Sequence, residues 1–304
     1  MDRHKDSREL NVELIEKIYD VIRYVNPIVK SDDDQITDFK INESDTHCYS
    51  FWQSNEVCKN CISMRALNEN KVTMKFEYSC GKLFMVTAVP EKENNRVLEL
   101  IRDVSNDHLL DNIDGLSEDL IIDKIVKLNK EIITDPLTGL YNRRFLDERM
   151  PFEIAKAYAN KLSISVIMGD IDHFKDVNDN YGHVVGDQVI KEFSDLLMLA
   201  IRDYDDWIVR FGGEEFLIFL FAIDKENLIK RIEKIRENVE SHVFCSDEYA
   251  IKVTASFGIY TNSEIKKDDL DKGLQFIHFA DEALYLAKEN GRNRCELYKL
   301  DGIN

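Results

Sequence analysis

Two acidic segments in the second half of this 304-residue chain carry residue types that suit phosphate chemistry. Asp170 follows an apolar run, so its carboxylate can face a ligand while the preceding residues pack in a core. Residues 212–213 are both glycine, which lets a backbone approach a ligand closely, and Glu214 and Glu215 follow directly. Because Mg²⁺ prefers oxygen ligands, Asp170 and Glu214 on neighbouring strands would hold a divalent cation.

A third segment supplies positive charge at the end of a helical pattern. Lys288 and Arg292 complement the negative end of a helix dipole, and they would also neutralise the terminal phosphates of a nucleotide. Taken singly, the segments have ordinary interpretations: a hairpin turn, a solvated pair of acids and a charged helix end. Taken together, they predict a polyanion site that depends on divalent cations.

Four of the six cysteines fall in one short stretch of the first half of the chain. The spacing is Cys48-x9-Cys58-x2-Cys61, followed by Cys80, and His47 precedes the first cysteine. Cys-x2-Cys is a frequent soft-metal unit, so four sulfurs could complete a zinc or iron–sulfur site. The alternative is that these residues are ordinary thiols in a reducing compartment.

Composition excludes several classes of protein. With 40 Lys and Arg residues against 58 Asp and Glu residues, the net charge of −18 argues against coating of nucleic acid or of an anionic membrane. The longest apolar run, 216–223, is far shorter than the roughly 20 residues of a membrane helix, and the polar N-terminus lacks a signal-peptide core. We therefore expect a cytoplasmic protein of about two domains, with neither nucleic acid nor membrane as a partner.

The spacing of apolar residues predicts the helix and the strands of the first half of the chain. Residues 8–25 repeat Ile and Val at helical spacing, and 71–78, 83–89 and 97–104 are strand candidates. These elements predict a small α+β domain.

A short apolar seam connects the two halves. Ile121, Ile125, Leu128 and Ile132 step by four, three and four residues, which is a two-heptad pattern. Two interpretations stay open: a helix packed on its own domain, or a parallel coiled coil that joins two copies of the chain.

After residue 134 the pattern changes to long helices and strongly apolar strands. The predicted helices are 143–161, 184–201, 225–241 and 270–289, and the predicted strands are 162–169, 207–211, 216–221 and 251–260. This order predicts an α+β domain with an antiparallel-rich sheet and helices on one face, of ferredoxin-like type.

The second half resembles the GGDEF family of diguanylate cyclases in four motifs that occur in the family's order. The motifs lie within 135–144, 170–187, 212–216 and 280–293, and the third reads Gly-Gly-Glu-Glu-Phe. The resemblance covers about 134–298 and implies a nucleotidyl-cyclase-type fold. It implies that two GTP molecules condense to cyclic di-GMP with release of two pyrophosphates. Because each domain holds one GTP, it also implies a homodimer.

The resemblance further implies roles for individual residues, with Mg²⁺ or Mn²⁺ as the cofactor. The implied catalytic residues are Asp170, Glu214 and Glu215. The implied metal ligands are Asp170, Glu214 and the carbonyl of Ile171. The implied guanine-binding residues are Asn178 and Asp187. The implied phosphate-binding residues are Phe174, Lys175, Lys288 and Arg292.

The sequence departs from the family pattern at the product-inhibition site. Many members carry Arg-x-x-Asp, with the Asp six residues before the first glycine of the naming motif. Asp206 occupies that position, but Asp203 stands where the arginine belongs. Arg202 and Asp205 form the same pattern shifted by one residue, which a bulge could rescue. We expect that tight feedback inhibition is lost.

Residues 30–105 resemble a PAS-type sensor domain, on the cysteine-containing segment, the strand 83–89 and a closing segment 101–105. We therefore divide the chain into an amphipathic helix 1–30, a PAS-like domain 31–107, a helical linker 108–133 and a cyclase domain 134–304. The leading hypothesis is a PAS-regulated diguanylate cyclase that reaches cyclic di-GMP receptors only indirectly. The alternatives are a non-catalytic nucleotide-binding module, and a redox or metal sensor whose output is protein contact.

Overall fold

The computed structural model describes residues 15–35, 47–54, 56–105, 118–199, 201, 205–245 and 249–299. The chain divides into two compact units, Met1–Ile132 and Ile133–Asn304, called unit 1 and unit 2 here. Among the described residues, no helix combines the length and the hydropathy needed to span a bilayer.

Unit 1 is built on an antiparallel sheet. Its elements are β1 (Val21–Asn26), β2 (Ser31–Gln35), α1 (Ile62–Glu69), β3 (Thr73–Ser79), β4 (Lys82–Glu91), β5 (Arg96–Asp103) and α2 (Glu118–Glu131). The strands lie in the order β2-β1-β5-β4-β3. Ile62 and Leu67 of α1 pack into the same core as Val86 and Ile101 of the sheet. The core of unit 1 therefore lies between α1 and the sheet.

The helix predicted over 8–25 is wrong at its C-terminal end, and residues 8–14 lie outside the described residues. β1 pairs with β5 instead, with Val21 opposite Ile101. β-branched side chains pack well on neighbouring strands, so this long-range pairing overrides the helical spacing of the same residues. The three strand predictions correspond to β3, β4 and β5 within a few residues, whereas β2 and α1 were not predicted.

Helix α2 carries the apolar seam predicted between the two halves. Ile121 is buried, whereas Leu128 is 57% exposed. The Asn129 side chain on the same helix donates a hydrogen bond to the Phe76 carbonyl of β3 at 2.9 Å. The helix therefore packs on its own unit, and part of the seam lies on the surface of that unit.

Unit 2 alternates helices with apolar strands. Its elements are α3 (Arg143–Asn160), β6 (Ile164–Ile171), α4 (Phe174–Tyr181), α5 (His183–Met198), β7 (Trp207–Gly212), β8 (Glu215–Phe221), α6 (Lys225–Ser241), β9 (Phe244–Cys245), β10 (Ala250–Ile251), β11 (Ala255–Asn262), α7 (Gly273–Glu289) and β12 (Cys295–Leu297). The main sheet has the order β12-β11-β6-β8-β7. β11 and β12 are parallel, and the other neighbours are antiparallel. β6 is buried along its whole length and forms the centre of this unit.

Unit 2 differs from the sequence prediction at four places. The predicted single helical face is wrong, because Phe257 of β11 lies in the core with α5 and α6, whereas the next residue, Gly258, meets α7 on the opposite face. Helix α4 precedes the predicted helix 184–201, and Gly182 separates α4 from α5 with a φ of +84°, which favours glycine. The predicted strand 251–260 begins later, at Ala255, because Ile251 belongs to the small β9–β10 hairpin. β12 was not predicted, since three residues show no useful periodicity.

Close backbone packing fixes helix α7 on the sheet. A Cβ atom added at Gly258 of β11 would lie 2.0 Å from the backbone nitrogen of Leu284 and 2.1 Å from the carbonyl oxygen of Ala280. Only glycine therefore permits this approach. Lys288 follows Leu284 by one helical turn, so the contact sets the position of the C-terminal end of α7.

Candidate active site

The structure brings the three predicted segments together at one end of the main sheet of unit 2. Asp170 lies near the end of β6, opposite Glu215 of β8 in the strand register, and is 6% exposed. Glu214 occupies the turn between β7 and β8. The Lys288 Nζ atom at the end of α7 lies 2.9 Å from Asp170 Oδ2. Carboxylates from a hairpin and a strand thus share a site with a helix-end cation.

Burial and crowding of like charges raise the pKa values of Asp170 and Glu215. Burial raises the pKa of Asp170 to about 6; Lys288 opposes this shift, and Glu214 and Glu215 add to it. The pKa of Glu215 is also raised, first by burial and then by Asp281 and Glu214, again against Lys288. The carboxylates therefore carry more negative charge than Lys288 balances, which favours binding of a further cation.

The donor chemistry of this cluster fits a hard divalent cation. Asp170 and Glu214 offer carboxylate oxygens, and Ile171 ends β6 with a backbone carbonyl next to Asp170. Across the described residues, no group of three or more His, Cys, Asp or Glu side chains is arranged as a metal site. Mg²⁺ usually takes one or two carboxylates together with substrate phosphates, so it does not require such a group.

A hydrogen-bonded network holds the glycine-rich hairpin in place. Arg210 of β7 donates from Nε to the Gly213 carbonyl at 2.9 Å and from Nη1 to Asp135 Oδ1 at 3.1 Å. Thr138 donates to the same Asp135 oxygen from its backbone nitrogen at 2.9 Å and its hydroxyl at 2.8 Å. Although burial opposes this, these bonds lower the pKa of Asp135. The segment that opens unit 2 is therefore bonded to the hairpin that carries Glu214.

Helices α4 and α5 gather the other predicted nucleotide contacts. Phe174 and Lys175 begin α4, where the first backbone N–H groups of a helix lack intrahelical partners and can bind phosphate. A Cβ atom added at Gly186 would lie 2.0 Å from Asn178 Oδ1, so the Asn178 side chain abuts the backbone just before Asp187. The predicted guanine-binding residue Asn178 of α4 therefore packs against α5 at Gly186, the residue before Asp187.

Asp172 has a positioning role that sequence reasoning missed. This carboxylate is 4% exposed and accepts hydrogen bonds from Thr254 Oγ1 at 2.7 Å, Ser256 Oγ at 2.7 Å and the Asn293 backbone nitrogen at 3.0 Å. Arg292 and Asn293 have φ angles of 63° and 47°, a left-handed conformation that asparagine tolerates but that is uncommon for arginine. Asp172 therefore anchors the strained loop that presents Arg292. Its spacing of two from Asp170 was the available signal, but its partners lie far away in sequence.

Residues of the predicted product-inhibition site are engaged in other contacts. Asp206 is buried and accepts hydrogen bonds from the Phe221 backbone nitrogen at 3.2 Å and from Arg231 Nη1 at 3.0 Å. Asp205 pairs with Lys156 at 2.6 Å. Arg202 and Asp203 lie outside the described residues.

The structure does not bring the four predicted cysteine ligands of unit 1 together. Cys48 is buried and, with the half-buried Cys58 and Cys61, lines a small cavity. Cys80 is exposed in the β3–β4 turn, where its sulfur lies 3.4 Å from Ser79 Oγ. Cys80 is not among the residues that line this cavity, although its sulfur lies 4.0 Å from the carbonyl oxygen of Trp52, which does line it.

Comparison with known proteins identifies the family. Residues 132–294 match the family described as "Diguanylate cyclase, GGDEF domain". Because the match covers more than half of the 304 residues, the chain belongs to the GGDEF family. The resemblance found in the four sequence motifs is thereby confirmed, and the mixed α+β sheet of unit 2 agrees with the cyclase fold.

Curated relatives and solved structures match the same part of the chain. The probable diguanylate cyclase DgcT of Escherichia coli (strain K12) is 44% identical over 161 residues, which are 52% of this chain and 34% of that protein. Diguanylate cyclase DgcZ of the same strain is 36% identical over 159 residues, 52% of this chain and 51% of that protein. The chain therefore covers about a third to a half of the length of these relatives.

Among solved structures, the coiled coil and GGDEF domain of DgcB from Caulobacter crescentus, in complex with c-di-GMP, aligns with a TM-score of 0.54 and 27% identity. This alignment covers 59% of this chain and 92% of that one. Diguanylate cyclase SiaD from Pseudomonas aeruginosa, in complex with its activator SiaC, aligns with a TM-score of 0.51 and 34% identity, covering 59% and 66%. These alignments support the fold of unit 2.

Proposed function

We propose that this protein is a diguanylate cyclase that condenses two GTP molecules into cyclic di-GMP and two pyrophosphates. The observation that carries the proposal is the cluster of Asp170, Glu214, Glu215 and Lys288 at one end of the sheet, in a unit that belongs to the GGDEF family. The reaction joins the 3′-hydroxyl of one nucleotide to the α-phosphate of the other, so it needs charge stabilisation at phosphate and removal of a proton.

The acidic residues of the cluster would hold Mg²⁺ or Mn²⁺ through Asp170, Glu214 and the Ile171 carbonyl. The cation, when bound, lowers the pKa of a hydroxyl and stabilises negative charge on phosphate oxygens. Glu215 lies beside Asp170 in the strand register and would assist in accepting the hydroxyl proton. Its raised pKa brings it closer to neutral pH, which suits a proton acceptor.

The remaining contacts would orient GTP. Lys288 at the end of α7 and Arg292 in the loop after it would bind the β- and γ-phosphates. The N-terminus of α4, at Phe174 and Lys175, would bind a further phosphate oxygen. Asn178 and Asp187 would hydrogen-bond the guanine edge. Adenine lacks the matching donors and acceptors and would leave these polar groups unpaired, which gives strong discrimination.

The two-nucleotide reaction also requires two copies of the chain, because each GGDEF domain would supply one GTP. We propose a homodimer that forms through unit 1 and the seam of α2, with 108–133 as the linker and 134–304 as the cyclase domain. The antiparallel sheet of unit 1, covered by α1, supports a PAS-like sensory domain that includes β1 in addition to 31–107. A chain truncated to begin near residue 132 should lose activity at low concentration, and full activity there would contradict the dimer proposal.

The cytoplasm is the proposed location, since GTP and the receptors of cyclic di-GMP are found there. The negative charge of −18 gives no support to a nucleic-acid or membrane partner.

The decisive experiment incubates the purified protein with GTP and Mg²⁺ and detects cyclic di-GMP by mass spectrometry. We expect product from the wild type and from Glu226→Gln, a control at an exposed ion pair of α6, but none from Glu214→Gln. Bound, intact GTP without product in the wild type would contradict the proposal and favour a non-catalytic nucleotide-binding module.

A further inference from the structure

Unit 1 contains a cavity lined by cysteine and charged side chains that the proposed reaction does not use. Its volume is about 20 Å³, and its lining includes Cys48, Cys58 and Cys61 together with Lys75 and Glu99. Such a volume accommodates about one water molecule, so the cavity itself is too small for an organic ligand. Its chemistry must therefore come from the side chains that line it.

A buried lysine distinguishes one sulfur of this group. Lys30 is 2% exposed, and its Nζ atom donates a hydrogen bond to Cys61 Sγ at 3.2 Å. Burial by itself would lower the pKa of Lys30, but the neighbouring Cys61 and Cys48 raise it. An ammonium group beside a sulfur stabilises negative charge on that sulfur, and the thiolate is the nucleophilic form of cysteine. The contact with Lys30 therefore distinguishes Cys61 from Cys48 and Cys58 as the candidate nucleophile of the group.

The sulfurs of Cys58 and Cys48 belong to residues that differ in burial. Burial raises the pKa of Cys58 to about 11, so Cys58 is a thiol at neutral pH, and it remains half-buried next to solvent. Cys48 is buried, and burial raises its pKa well above the usual value. Cys58 and Cys61, which are separated by two residues in Cys-x2-Cys, are therefore partly exposed, whereas Cys48 is buried.

Asn60, which lies between these two cysteines, is hydrogen-bonded to α2, the helix that precedes unit 2 in the chain. Asn60 is 8% exposed, and its Nδ2 atom donates to the backbone carbonyl of Asn129 at 3.3 Å and to Asn129 Oδ1 at 3.2 Å. Asn129 in turn donates to the Phe76 carbonyl, and Lys75 Nζ donates to the Asn60 carbonyl at 2.9 Å. A change in the backbone between Cys58 and Cys61 must therefore alter the support of α2.

We propose that Cys58 and Cys61 form a reversible redox pair that small-molecule disulfides oxidise, and that the oxidation acts on α2 through the Asn60–Asn129 contact. Closing a ring across Cys-x2-Cys constrains the two residues inside it, of which Asn60 is one. The effect on cyclic di-GMP synthesis rests on the proposed function, whereas the disulfide and its effect on α2 do not.

The oxidation is a thiol–disulfide exchange with an oxidant such as oxidised glutathione. The Cys61 thiolate attacks one sulfur of the reagent, the bond between its sulfurs breaks, and one glutathione leaves as a thiolate that takes up a proton. Cys58 then loses its proton, attacks the mixed disulfide at the Cys61 sulfur and releases the second glutathione. Starting from the Cys61 thiolate, the protein loses two electrons and the Cys58 proton, the solvent supplies the other proton, and the reagent becomes two thiols.

The first test treats the full chain with oxidised glutathione and maps its peptides by mass spectrometry. We expect a Cys58–Cys61 linkage, with a mass loss of about 2 Da that a dithiol reverses. Cys58→Ser should stop the reaction at a glutathione adduct on Cys61, and Cys80→Ser, at an exposed turn, should behave as the wild type. A linkage through Cys48 or Cys80, or no linkage in the wild type, would overturn the proposal.

The second test measures the coupling to α2 by amide hydrogen exchange over 118–131 in the reduced and oxidised chain. Oxidation should change exchange in the wild type and in Lys124→Ala, an exposed position of α2, but not in Asn60→Ala, which removes both hydrogen bonds to Asn129. A disulfide that leaves exchange over 118–131 unchanged in the wild type would overturn the coupling.

The rate of cyclic di-GMP synthesis is the functional readout of the same coupling. Oxidation should change this rate by about fivefold or more in the wild type, the lower end of usual allosteric coupling, and Asn60→Ala should abolish the difference. Equal rates in both states of an active wild type would refute regulation of the cyclase. If no product forms in either state, the proposed function fails, while the peptide map and the exchange data still decide the redox pair.

Discussion

Unit 1 and unit 2 each contain a buried carboxylate, but its charge is balanced by a dedicated cation only in unit 1. In unit 1, Arg23 and Glu99 are both buried and pair at 2.7 Å, Ser63 donates to the same carboxylate, and Arg23 also donates to the Cys48 carbonyl at 3.0 Å. In unit 2, the buried Asp170 shares Lys288 with the neighbouring Glu214 and Glu215.

This difference separates a structural ion pair from a ligand site. The Arg23–Glu99 pair is neutral and closed by hydrogen bonds, so it needs nothing from solution. The Asp170 cluster has an excess of negative charge, so it gains stability from a divalent cation and the phosphates that the cation brings. Removing Arg23 should therefore lower the stability of unit 1, whereas removing Lys288 should lower the activity of unit 2.

The largest effect is expected for Arg23→Met. Loss of the guanidinium leaves the Glu99 carboxylate buried without its charge partner, which should lower the free energy of unfolding of unit 1 by about 3–5 kcal/mol. Urea unfolding in a Trp207→Phe background measures this, because Trp52 is then the sole tryptophan of the chain. The double change Arg23→Met and Glu99→Leu should recover most of the loss. Equal instability of the double variant would show that the pair matters through packing and not through charge.

A second expected effect is on the activity of Lys288→Met. Asp170, whose pKa already lies at about 6, can take up a proton when Lys288 is absent, so stability should change by less than about 1 kcal/mol. The kcat/KM for GTP should fall by about 10²-fold, since a cation aimed at phosphate is lost. Lys191→Met, at an exposed lysine of α5, serves as the control. A stability loss as large as that of Arg23→Met would erase the contrast between the units.

A smaller effect is expected for Asp172→Asn. An amide cannot accept hydrogen bonds from Thr254, Ser256 and the Asn293 nitrogen as the carboxylate does, so the loop that presents Arg292 should loosen. Steady-state kinetics should show KM for GTP raised by about tenfold with a smaller change in kcat. Asp179→Asn, at an exposed acid of α4, should leave both constants unchanged. A fall in kcat at constant KM would show that Asp172 acts on the reacting groups instead.

The smallest effect concerns feedback. Asp206 is buried and bonded to Phe221 and Arg231, so it is not available for a bound product, and Arg202 and Asp205 form the family pattern only in a shifted register. Addition of cyclic di-GMP to the assay should therefore not slow synthesis measurably. Inhibition that Arg202→Ala removes would show that the shifted Arg-x-x-Asp pattern binds product after all.

Short-range patterns in the sequence were sufficient to predict most helices and strands of unit 2 and the residue types of its candidate site. β6 and β8 are almost wholly apolar, and the paired glycines at 212–213 mark the hairpin that carries Glu214. Unit 1 was harder to predict. Val21 and Val25 suit either a helix or a strand, and only the pairing of β1 with β5 selects the strand.

The sequence by itself determined the family, the order of helices and strands in unit 2 and the acidic, glycine-rich and basic segments of the site, because these depend on residue type and on short-range spacing. Only the tertiary structure decided that Lys288 pairs with Asp170, that Asp172 anchors the loop of Arg292, that Cys80 lies apart from the other cysteines and that Asn60 bonds to Asn129. These contacts, and the separation of Cys80, involve residues that are distant in the chain. They depend on strand register, on the close approach of α7 to the sheet at Gly258 and on the pairing of buried charges. None of these can be inferred from the spacing of residues within one helix or strand.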